Sequence, residues 1–461
     1  MRNVFLVSYK VKGIKALDRM VSLSFYKKTI TMPIDIQEYN IKGIYGMNGS
    51  GKSGIIASAD ILKNLLMDEN YLNNPMAQKN LDAIINKKTE ELSIEAEFLV
   101  EAEEKAVLYS YEVALKKNRS GRYAISMERL SFKPAASKRK DFIPLVEVRE
   151  GKIFWMSIYR DSVYKDRFTQ ETTNLLSNAT VSALFVQKLF IKKPHCLDEI
   201  KDRDEKFFFY SFIALFVFGS SIHVYMDQSD DHTDYLLSDL LNYPSESDHG
   251  DSYTDFVLRS AAEMDRGLLN LFSAGEHYVP KEAYEDYVKA VRKLQGFIQI
   301  FKSDLIRIDI DRKEDREGYV CSLIMVYDSY SINTEFESTG IKKLIKLFAY
   351  LRKMVQGDIV FIDEFDSNLH DVYLCALLEY LMDYGKGQLC FTTHNVGSMD
   401  VLKRHKKSID FLSVDRQIYP WTKNGNYSPS KLYKNGMIEG SPFNVDSIDF
   451  IGVFDRLDEE E

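Results

Sequence analysis

The chain has few cysteines, and they lack the spacing of a disulfide framework or a zinc site. Only four of its 461 residues are cysteine, and no two of them form a C-x-x-C pair. We therefore expect reduced thiols that pack in the core or lie at the surface. The four are Cys196, Cys321, Cys375 and Cys390.

Long apolar runs are also absent. No stretch reaches the roughly 18 uninterrupted apolar residues that a membrane-spanning helix needs. The first residues of the chain hold a short apolar run without the small-residue cleavage site of a secretory signal. These absences predict a cytoplasmic protein with no membrane partner.

An excess of positive charge is missing as well. The 60 Lys and Arg residues against 69 Asp and Glu residues give a formal net charge of −9. The total charge therefore does not imply a nucleic-acid partner. With 28% charged and 45% hydrophobic residues, the composition is that of a globular protein, long enough for two or three domains or for one large domain with an insertion.

One motif dominates what the sequence does contain. Residues 46–53 match the complete phosphate-binding pattern G-x-x-x-x-G-K-S and follow an apolar run. In this pattern, glycines let backbone N–H groups approach phosphate oxygens, Lys52 reaches the β- and γ-phosphates, and Ser53 ligates Mg²⁺. Residues 54–62 have the apolar spacing of the helix that such a loop opens. The motif predicts that the chain binds a nucleoside triphosphate.

Strand patterns surround this loop. Residues 2–45 alternate apolar and polar positions, as short strands do, and a helix is predicted at 53–66. Charged or glycine-containing turns then separate three further strands. The three are predicted at 92–100, 106–116 and 123–132.

The middle of the chain has a different pattern. From about residue 134 to 300 the spacing is mainly helical, and it closes with an amphipathic helix at 280–303. Acidic residues crowd the segment 227–251. Carboxylates suit a cation, but no regular ligand spacing occurs, so the segment is more typical of a loop than of a metal site.

Strand patterns resume at 305–310, 319–327 and 331–336. Ser338-Thr339-Gly340 then opens a predicted helix. A serine and a glycine at a helix start present a hydroxyl, free N–H groups and a positive dipole end, which suit an anion. Alone, this pattern indicates only a helix cap.

Two carboxylates follow a buried strand. After Asp358, residues 359–362 form an apolar run that leads into Asp363 and Glu364. Packing gives no reason for adjacent acids at this point, although a solvent-exposed strand end is the plain alternative. Opposite a phosphate-binding loop, Asp363 can hold Mg²⁺ and Glu364 can orient or deprotonate the attacking water.

A second apolar strand ends in polar residues. Residues 388–393 lead into His394 and Asn395, which are expected at the carboxyl-terminal edge of the sheet, where α/β folds bind ligands. His394 is well placed to sense a γ-phosphate. A structural histidine is the usual reading of a lone residue of this kind, but the ordered series of motifs argues against it.

Taken in order, the motifs resemble the ABC-type ATPase head shared by SMC proteins, OLD (overcoming lysogenisation defect) nucleases and related bacterial defence ATPases. The resemblance covers residues 1–65 and 305–415. It implies an α/β fold, an ABC-type P-loop NTPase head with a mixed sheet plus a mostly helical insertion. It also implies Mg²⁺-dependent hydrolysis of ATP, and two heads that sandwich two nucleotides.

The resemblance gives each motif a role. Residues 46–53 correspond to the Walker A loop, Asp363 and Glu364 to the Walker B pair, Asp366 to the D-loop and His394 to the switch histidine. Residues 338–340 correspond to a degenerate signature, which in this family contacts the ATP of the opposite subunit. The implied catalytic residues are Lys52, Glu364 and His394, and the implied metal ligands are Ser53 and Asp363. The implied nucleotide-binding residues are Gly46, Asn48, Gly49, Ser50, Gly51, Lys52, Ser53, Gly54, Ser338, Gly340 and Asp366.

Three departures limit the resemblance. The Q-loop glutamine has only Gln78 as a candidate, in an asparagine-rich segment. The middle region lacks sustained heptads, so no long coiled coil is expected. The 67 residues after His394 (461 − 394) are too few for the TOPRIM nuclease domain of OLD proteins, and residues 415–419 instead resemble the tail of stand-alone members encoded beside a separate effector.

These observations predict a four-part organisation. The two halves of the head are expected at 1–133 and 301–415, the helical sensor or effector region at 134–300, and a tail at 416–461.

The leading functional hypothesis is an ATPase sensor or regulatory subunit of a bacterial anti-phage (abortive infection) system, controlling a separate toxic effector. That effector is expected to be a nuclease, with the TOPRIM type as one form, and the trigger to be a phage component. The alternatives are a DNA-repair or recombination ATPase that binds DNA through its heads, and a self-sufficient nuclease with an active site in 134–300. A transporter subunit fits less well.

Overall fold

The computed structural model describes residues 3–102, 105–137, 141–158, 162–192, 197, 199–226, 275–316, 318–422 and 427–441. Cys196, the acidic segment 227–251 and most of the predicted tail lie outside these residues. The three described cysteines are free thiols. Among the described residues, no helix is long and apolar enough to cross a membrane.

The described strands include the blocks predicted before residue 134 and after residue 300, and further strands occur in the region between. In chain order they are β1 (Asn3–Lys12), β2 (Val21–Ser24), β3 (Ile41–Tyr45), β4 (Glu91–Ala102), β5 (Lys105–Lys117), β6 (Tyr123–Pro134), β7 (Ile143–Arg149), β8 (Lys152–Met156), β9 (Ile222–Tyr225), β10 (His277–Pro280), β11 (Leu305–Asp315), β12 (Gly318–Tyr327), β13 (Ser331–Asn333), β14 (Ile359–Ile362), β15 (Gln388–Thr392), β16 (Ile409–Leu412) and β17 (Ile418–Pro420).

The described α-helices are, in chain order, α1 (Lys52–Met67), α2 (Pro75–Ile84), α3 (Val163–Thr172), α4 (Val181–Leu184), α5 (Arg203–Ser221), α6 (Tyr284–Phe301), α7 (Thr339–Gln356), α8 (Asp371–Tyr384), α9 (Ser398–Leu402) and α10 (Pro429–Lys434). A π-helical segment, Phe185–Phe190, continues α4.

A mixed six-stranded sheet forms the centre of the fold. Its order is β17-β16-β3-β15-β14-β9, with every pair parallel except the antiparallel edge pair β16 and β17. All residues of β3, β14, β15 and β16 are buried. Such complete burial is expected of a parallel sheet covered on both faces, and the two charged residues within these strands, Lys42 and Asp410, form an ion pair at 2.7 Å.

Strand β14 shows how the two faces of this sheet are used. Ile359 and Phe361 join one hydrophobic cluster with α1 and α5, whereas Val360 and Ile362 join another with α7 and α8. Because side chains alternate along a strand, the central sheet is a middle layer between these two sets of helices.

The other two sheets flank this core. The antiparallel meander β4-β5-β6 was predicted, and it belongs to a seven-stranded sheet of order β2-β1-β4-β5-β6-β7-β8. A smaller sheet, β10-β12-β11 with β13 beside β12, shares a hydrophobic cluster with α6 and α7. Helix α7 therefore packs against both the central sheet and the smaller one.

The middle region differs from the expected helical insertion. The predicted limit at 133 and 134 falls inside β6, and the same sheet continues through β7 and β8. Strand β9 then enters the central sheet beside β14. Helix α5, just before β9, lies close to α1, since a Cβ on Gly219 would be 2.7 Å from the Leu66 Cβ. Sequence periodicity does not separate a short buried strand from the end of an apolar helix.

Candidate nucleotide site

Three neighbouring parallel strands deliver the predicted motifs to one edge of the central sheet. Strand β15 pairs with β3 on one side and with β14 on the other. Gly46 follows β3, Asp363 follows β14, and Thr393 and His394 follow β15. Since the carboxyl ends of parallel strands meet at the same edge, the phosphate-binding loop lies beside the carboxylates and the histidine.

The phosphate-binding loop depends on two glycines that the structure leaves no room to replace. A Cβ on Gly46 would lie 2.4 Å from the Leu412 carbonyl oxygen, and one on Gly51 would lie 2.4 Å from Leu17 Cδ2. Gly51 also has φ +111°, which is unfavourable for residues with a side chain. Gly51 is the N-cap of α1, and Lys52 is the first residue of this helix.

Lys52 lies folded back on its own loop. Its Nζ donates to the carbonyls of Gly46 at 2.8 Å and Met47 at 3.1 Å. Burial lowers the pKa of Lys52, and the carboxylates of Asp363, Glu364 and Asp366 oppose that shift. All three acids thus interact electrostatically with the loop lysine.

Ser50 carries an unsatisfied group inside the loop. The residue is 3% exposed, and its Oγ has no hydrogen-bond partner among the described residues. A buried polar atom without a partner is costly in a folded protein. A bound phosphate oxygen is the kind of acceptor that would satisfy this hydroxyl.

A threonine connects the two acids after β14. Thr392 Oγ1 donates to Asp363 Oδ1 at 2.6 Å and accepts from the Glu364 backbone N–H at 2.8 Å. Glu364 itself has φ +48°, a conformation that residues other than glycine seldom adopt. Its side chain is exposed, whereas Asp363 is half-buried. The backbone of Glu364 is thus held by a hydrogen bond, while its carboxylate is exposed to solvent.

Asp366 and the turn after β15 are linked to each other. Both carboxylate oxygens of Asp366 accept from the His394 backbone N–H, at 3.2 and 3.3 Å. The Asn395 side chain donates to Asp371 Oδ1 at 2.8 Å. The His394 side chain is left exposed.

The predicted signature occupies the start of α7. Ser338 is its N-cap and accepts from the Ile341 backbone N–H at 3.4 Å. A Cβ on Gly340 would lie 2.9 Å from the Asn368 carbonyl oxygen, so the helix start touches the loop that follows the two acids. In the described part of the chain, no hydrogen bond joins Ser338 or Gly340 to residues 46–54.

Gln78 is occupied elsewhere. Its side-chain amide donates to the carbonyls of Leu72 at 2.8 Å and Tyr123 at 2.9 Å, and its oxygen accepts from the Tyr123 backbone N–H at 2.8 Å. These bonds tie α2 to β6. The whole amide group is thus used to hold backbone, and the Q-loop role of Gln78 stays a prediction.

Two site residues escaped the sequence analysis. Thr392 supports both acids, and Lys343 of α7 donates to the Glu364 carbonyl at 2.6 Å. A hydroxyl at the end of an apolar strand was a usable signal for Thr392. A lysine on a helix gave no such signal, because most lysines are solvated.

The donor set at the sheet edge suits Mg²⁺ with a nucleotide. Ser53 and Asp363 offer hydroxyl and carboxylate oxygens, the ligands that Mg²⁺ prefers when substrate phosphates complete its coordination. Among the described residues, no group of three or more His, Cys, Asp or Glu side chains forms a metal site. The residues thus fit a metal held jointly with phosphates rather than an all-protein cage.

The central parallel sheet with its strand, loop and helix at residues 41–67 defines a P-loop NTPase of the α/β class. More specifically, residues 41–400 match the family described as "AAA domain, putative AbiEii toxin, Type IV TA system". The chain belongs to this family of AAA-type ATPases.

Among solved structures, the crystal structure of the Smc head domain with a coiled coil and joint derived from Pyrococcus yayanosii is similar to this chain. The match covers 88% of this chain and 94% of that chain, with 12% sequence identity and a TM-score of 0.37. No curated protein matches the chain.

Proposed function

We propose that the chain is an ATP-binding and ATP-hydrolysing regulatory subunit of a bacterial anti-phage system, acting on a separate toxic effector. One observation carries the ATPase part of this proposal. The phosphate-binding loop, Asp363, Glu364 and the turn at His394 share one edge of the central sheet. An ATPase needs a phosphate cradle, a metal ligand and a water-orienting group in this arrangement.

The roles of the residues follow from their groups. When ATP binds, Lys52 exchanges the carbonyls of Gly46 and Met47 for phosphate oxygens. Ser53 and Asp363 would hold Mg²⁺, which neutralises phosphate charge. Glu364, exposed but fixed through its backbone, orients the attacking water and accepts its proton. His394 senses the γ-phosphate from the next strand end.

The site is proposed to be completed by a second copy of the chain. Ser338 and Gly340 cap α7 and contact the loop after the acids, without a hydrogen bond to the phosphate-binding loop of the same chain in the part described. Exposed N–H groups at a helix start suit the phosphates of a nucleotide held by another head. In a dimer with two ATP molecules between the heads, the signature of each head would lie against the nucleotide that the other head binds.

The defence role rests on the family. Its description names an AbiEii toxin and a Type IV TA system, and abortive infection is the context that these words indicate. We propose that ATP closes the heads and that hydrolysis, or a phage component, releases a separate effector, with a nuclease as the leading candidate.

The substitution Glu364→Gln tests the catalytic part. We expect ATP to bind with unchanged affinity while hydrolysis falls by at least about 100-fold, because the amide cannot accept the proton. Mg²⁺-ATP should then hold the variant as a dimer, measured by light scattering. The exposed Glu282→Gln serves as the matched control and should hydrolyse ATP normally. Hydrolysis by Glu364→Gln at the unmutated rate would contradict the assignment of the base.

Expression in bacteria tests the regulatory part. The chain alone should leave growth unchanged, and growth arrest should require the protein encoded beside it together with phage infection. Growth arrest by the chain alone would make this chain the toxin. Salt-dependent DNA binding by the purified chain would instead favour a repair ATPase, since phosphate contacts release counterions.

A further inference from the structure

Lys343 is a charged residue buried where helix α7 meets the loop that follows β14. The residue is 3% exposed, and a buried ammonium must be compensated by hydrogen bonds. Its Nζ donates to the Glu364 carbonyl oxygen at 2.6 Å and to the Ser367 hydroxyl. The same Nζ lies 5.8 Å from the centre of the Tyr225 ring.

Lys343 and Thr392 bind the two backbone groups of Glu364, its carbonyl and its N–H. Thr392 accepts from the Glu364 N–H at 2.8 Å, and Lys343 donates to the Glu364 carbonyl at 2.6 Å. Between these two bonds Glu364 has φ +48°, a conformation that an L residue keeps only when its surroundings impose it. The direction of the exposed glutamate side chain therefore depends on both contacts.

Lys343 lies on the helix that begins at the predicted signature. It lies five residues after Ser338 on α7, little more than one helical turn. Gly340, between them, packs against the carbonyl of Asn368 at a distance that leaves no room for a Cβ. A shift of the start of α7 would thus displace the ammonium that holds the Glu364 carbonyl.

We propose that Lys343 is a positioning residue, which sets the orientation of Glu364 from α7 and so couples the signature end of this helix to the hydrolytic group of the same head. This inference rests on the proposed function, because it takes Glu364 as the group that orients the attacking water. In this role Lys343 acts through the Glu364 carbonyl and not on the nucleotide directly. It should therefore affect turnover and leave nucleotide affinity unchanged.

The substitution Lys343→Met removes the charge and keeps the apolar length of the side chain. We expect kcat for ATP hydrolysis to fall by roughly tenfold to a hundredfold, the range in which small misplacements of a reacting group act. The Kd for ATP should stay within about twofold, because the phosphate-binding loop is untouched. The neighbouring Lys342 is half-buried and donates to the Glu335 carbonyl at 3.2 Å, so Lys342→Met is the matched control and should keep the unmutated kcat.

A double substitution separates positioning from a general structural effect. In a Glu364→Gln background, Lys343→Met should change the residual rate by less than about twofold, because no base remains to be positioned. Lys343→Arg, which keeps a charged donor, should retain a large part of the activity. If Lys343→Met does not fold, Lys343→Gln tests the same point, since its amide is one bond shorter than the ammonium.

Several outcomes would overturn the inference. They are an unmutated kcat in folded Lys343→Met, a raised Kd for ATP with an unchanged kcat, or a full additional loss of rate in the Glu364→Gln background. The proposed function fails in a different way. In that case Glu364→Gln alone hydrolyses ATP at the unmutated rate, whatever Lys343→Met does.

Discussion

The edge of the central sheet and the interior of the seven-stranded sheet both hold acidic side chains, but they satisfy them differently. In the seven-stranded sheet Glu128 is fully buried and accepts from the Tyr111 hydroxyl at 2.9 Å and from the Val181 backbone N–H at 3.1 Å. At the central edge Asp363 is half-buried, and Glu364 directs its carboxylate to solvent.

This comparison separates two uses of a carboxylate. Burial raises the pKa of Glu128 to about 7, against the opposing effect of its two hydrogen bonds, and the side chain joins β6 to β5 and to the start of α4. The edge carboxylates have their backbone fixed and their oxygens available to a ligand. Burial of an acid therefore does not by itself indicate a functional site. An acid with accessible oxygens at the carboxyl-terminal edge of a parallel sheet does indicate one.

Lys52→Ala gives the largest expected effect at the edge. Loss of the ammonium removes charge-assisted hydrogen bonds to phosphates and should raise the Kd for ATP by about a thousandfold, measured with a fluorescent ATP analogue. The exposed Lys79→Ala is the control. If Lys52→Ala and the unmutated chain bound ATP with equal affinity, the edge of the central sheet would not be the ATP-binding site.

Glu128→Gln tests the buried side. A pKa of about 7 in the folded chain against an ordinary 4.5 means that the folded state binds the extra proton between these values. The contribution of Glu128 to stability is therefore full below about pH 4.5 and is lost as the pH rises through 7, by roughly 3 kcal/mol in total. Between pH 4.5 and 8, urea unfolding should show a change in stability that is about 3 kcal/mol more favourable in Glu128→Gln than in the unmutated chain, because the two share all other titrating groups, such as the buried His223.

The exposed Glu282→Gln controls for the loss of one carboxyl and should keep the unmutated pH dependence. A stability difference between pH 4.5 and 8 that is the same in Glu128→Gln and in the unmutated chain would show that Glu128 does not titrate in this window. ATP hydrolysis per folded molecule should be unaffected by Glu128→Gln, because the residue belongs to the other sheet.

Thr392→Val is expected to have a smaller effect. Valine keeps the shape but loses the hydroxyl that supports Asp363 and Glu364, so kcat should fall about tenfold, as for outer residues that orient a metal ligand. Thr180 is the matched control, because its buried hydroxyl donates to the carbonyl of Leu65 in α1 at 2.8 Å. Thr180→Val should lower stability and leave kcat unchanged. Equal losses of kcat in both variants would contradict the special role of Thr392.

Much of the fold was predictable because its signals are local. The meander β4-β5-β6, helix α6 and the strand before the phosphate-binding loop all follow short-range periodicity and turn residues. Strand β9 was missed, because a strand of four residues after a long apolar helix has no period of its own. The contacts of Gln78 were not predictable for a related reason. Its partners Leu72 and Tyr123 belong to different elements, and only the fold shows that its amide is used.

The sequence by itself determined the kind of chemistry. The spacing of residues 46–53 specifies a phosphate-binding loop, because the backbone geometry of such a loop requires glycine at set positions. Asp363, Glu364 and His394 were recognisable because they are polar residues that directly follow apolar, buried strands. Only the tertiary structure decided which groups support them. The contacts of Glu364 with Lys343 and Thr392 join positions 21 and 28 residues apart, and such pairings arise from packing between elements, which no local pattern encodes.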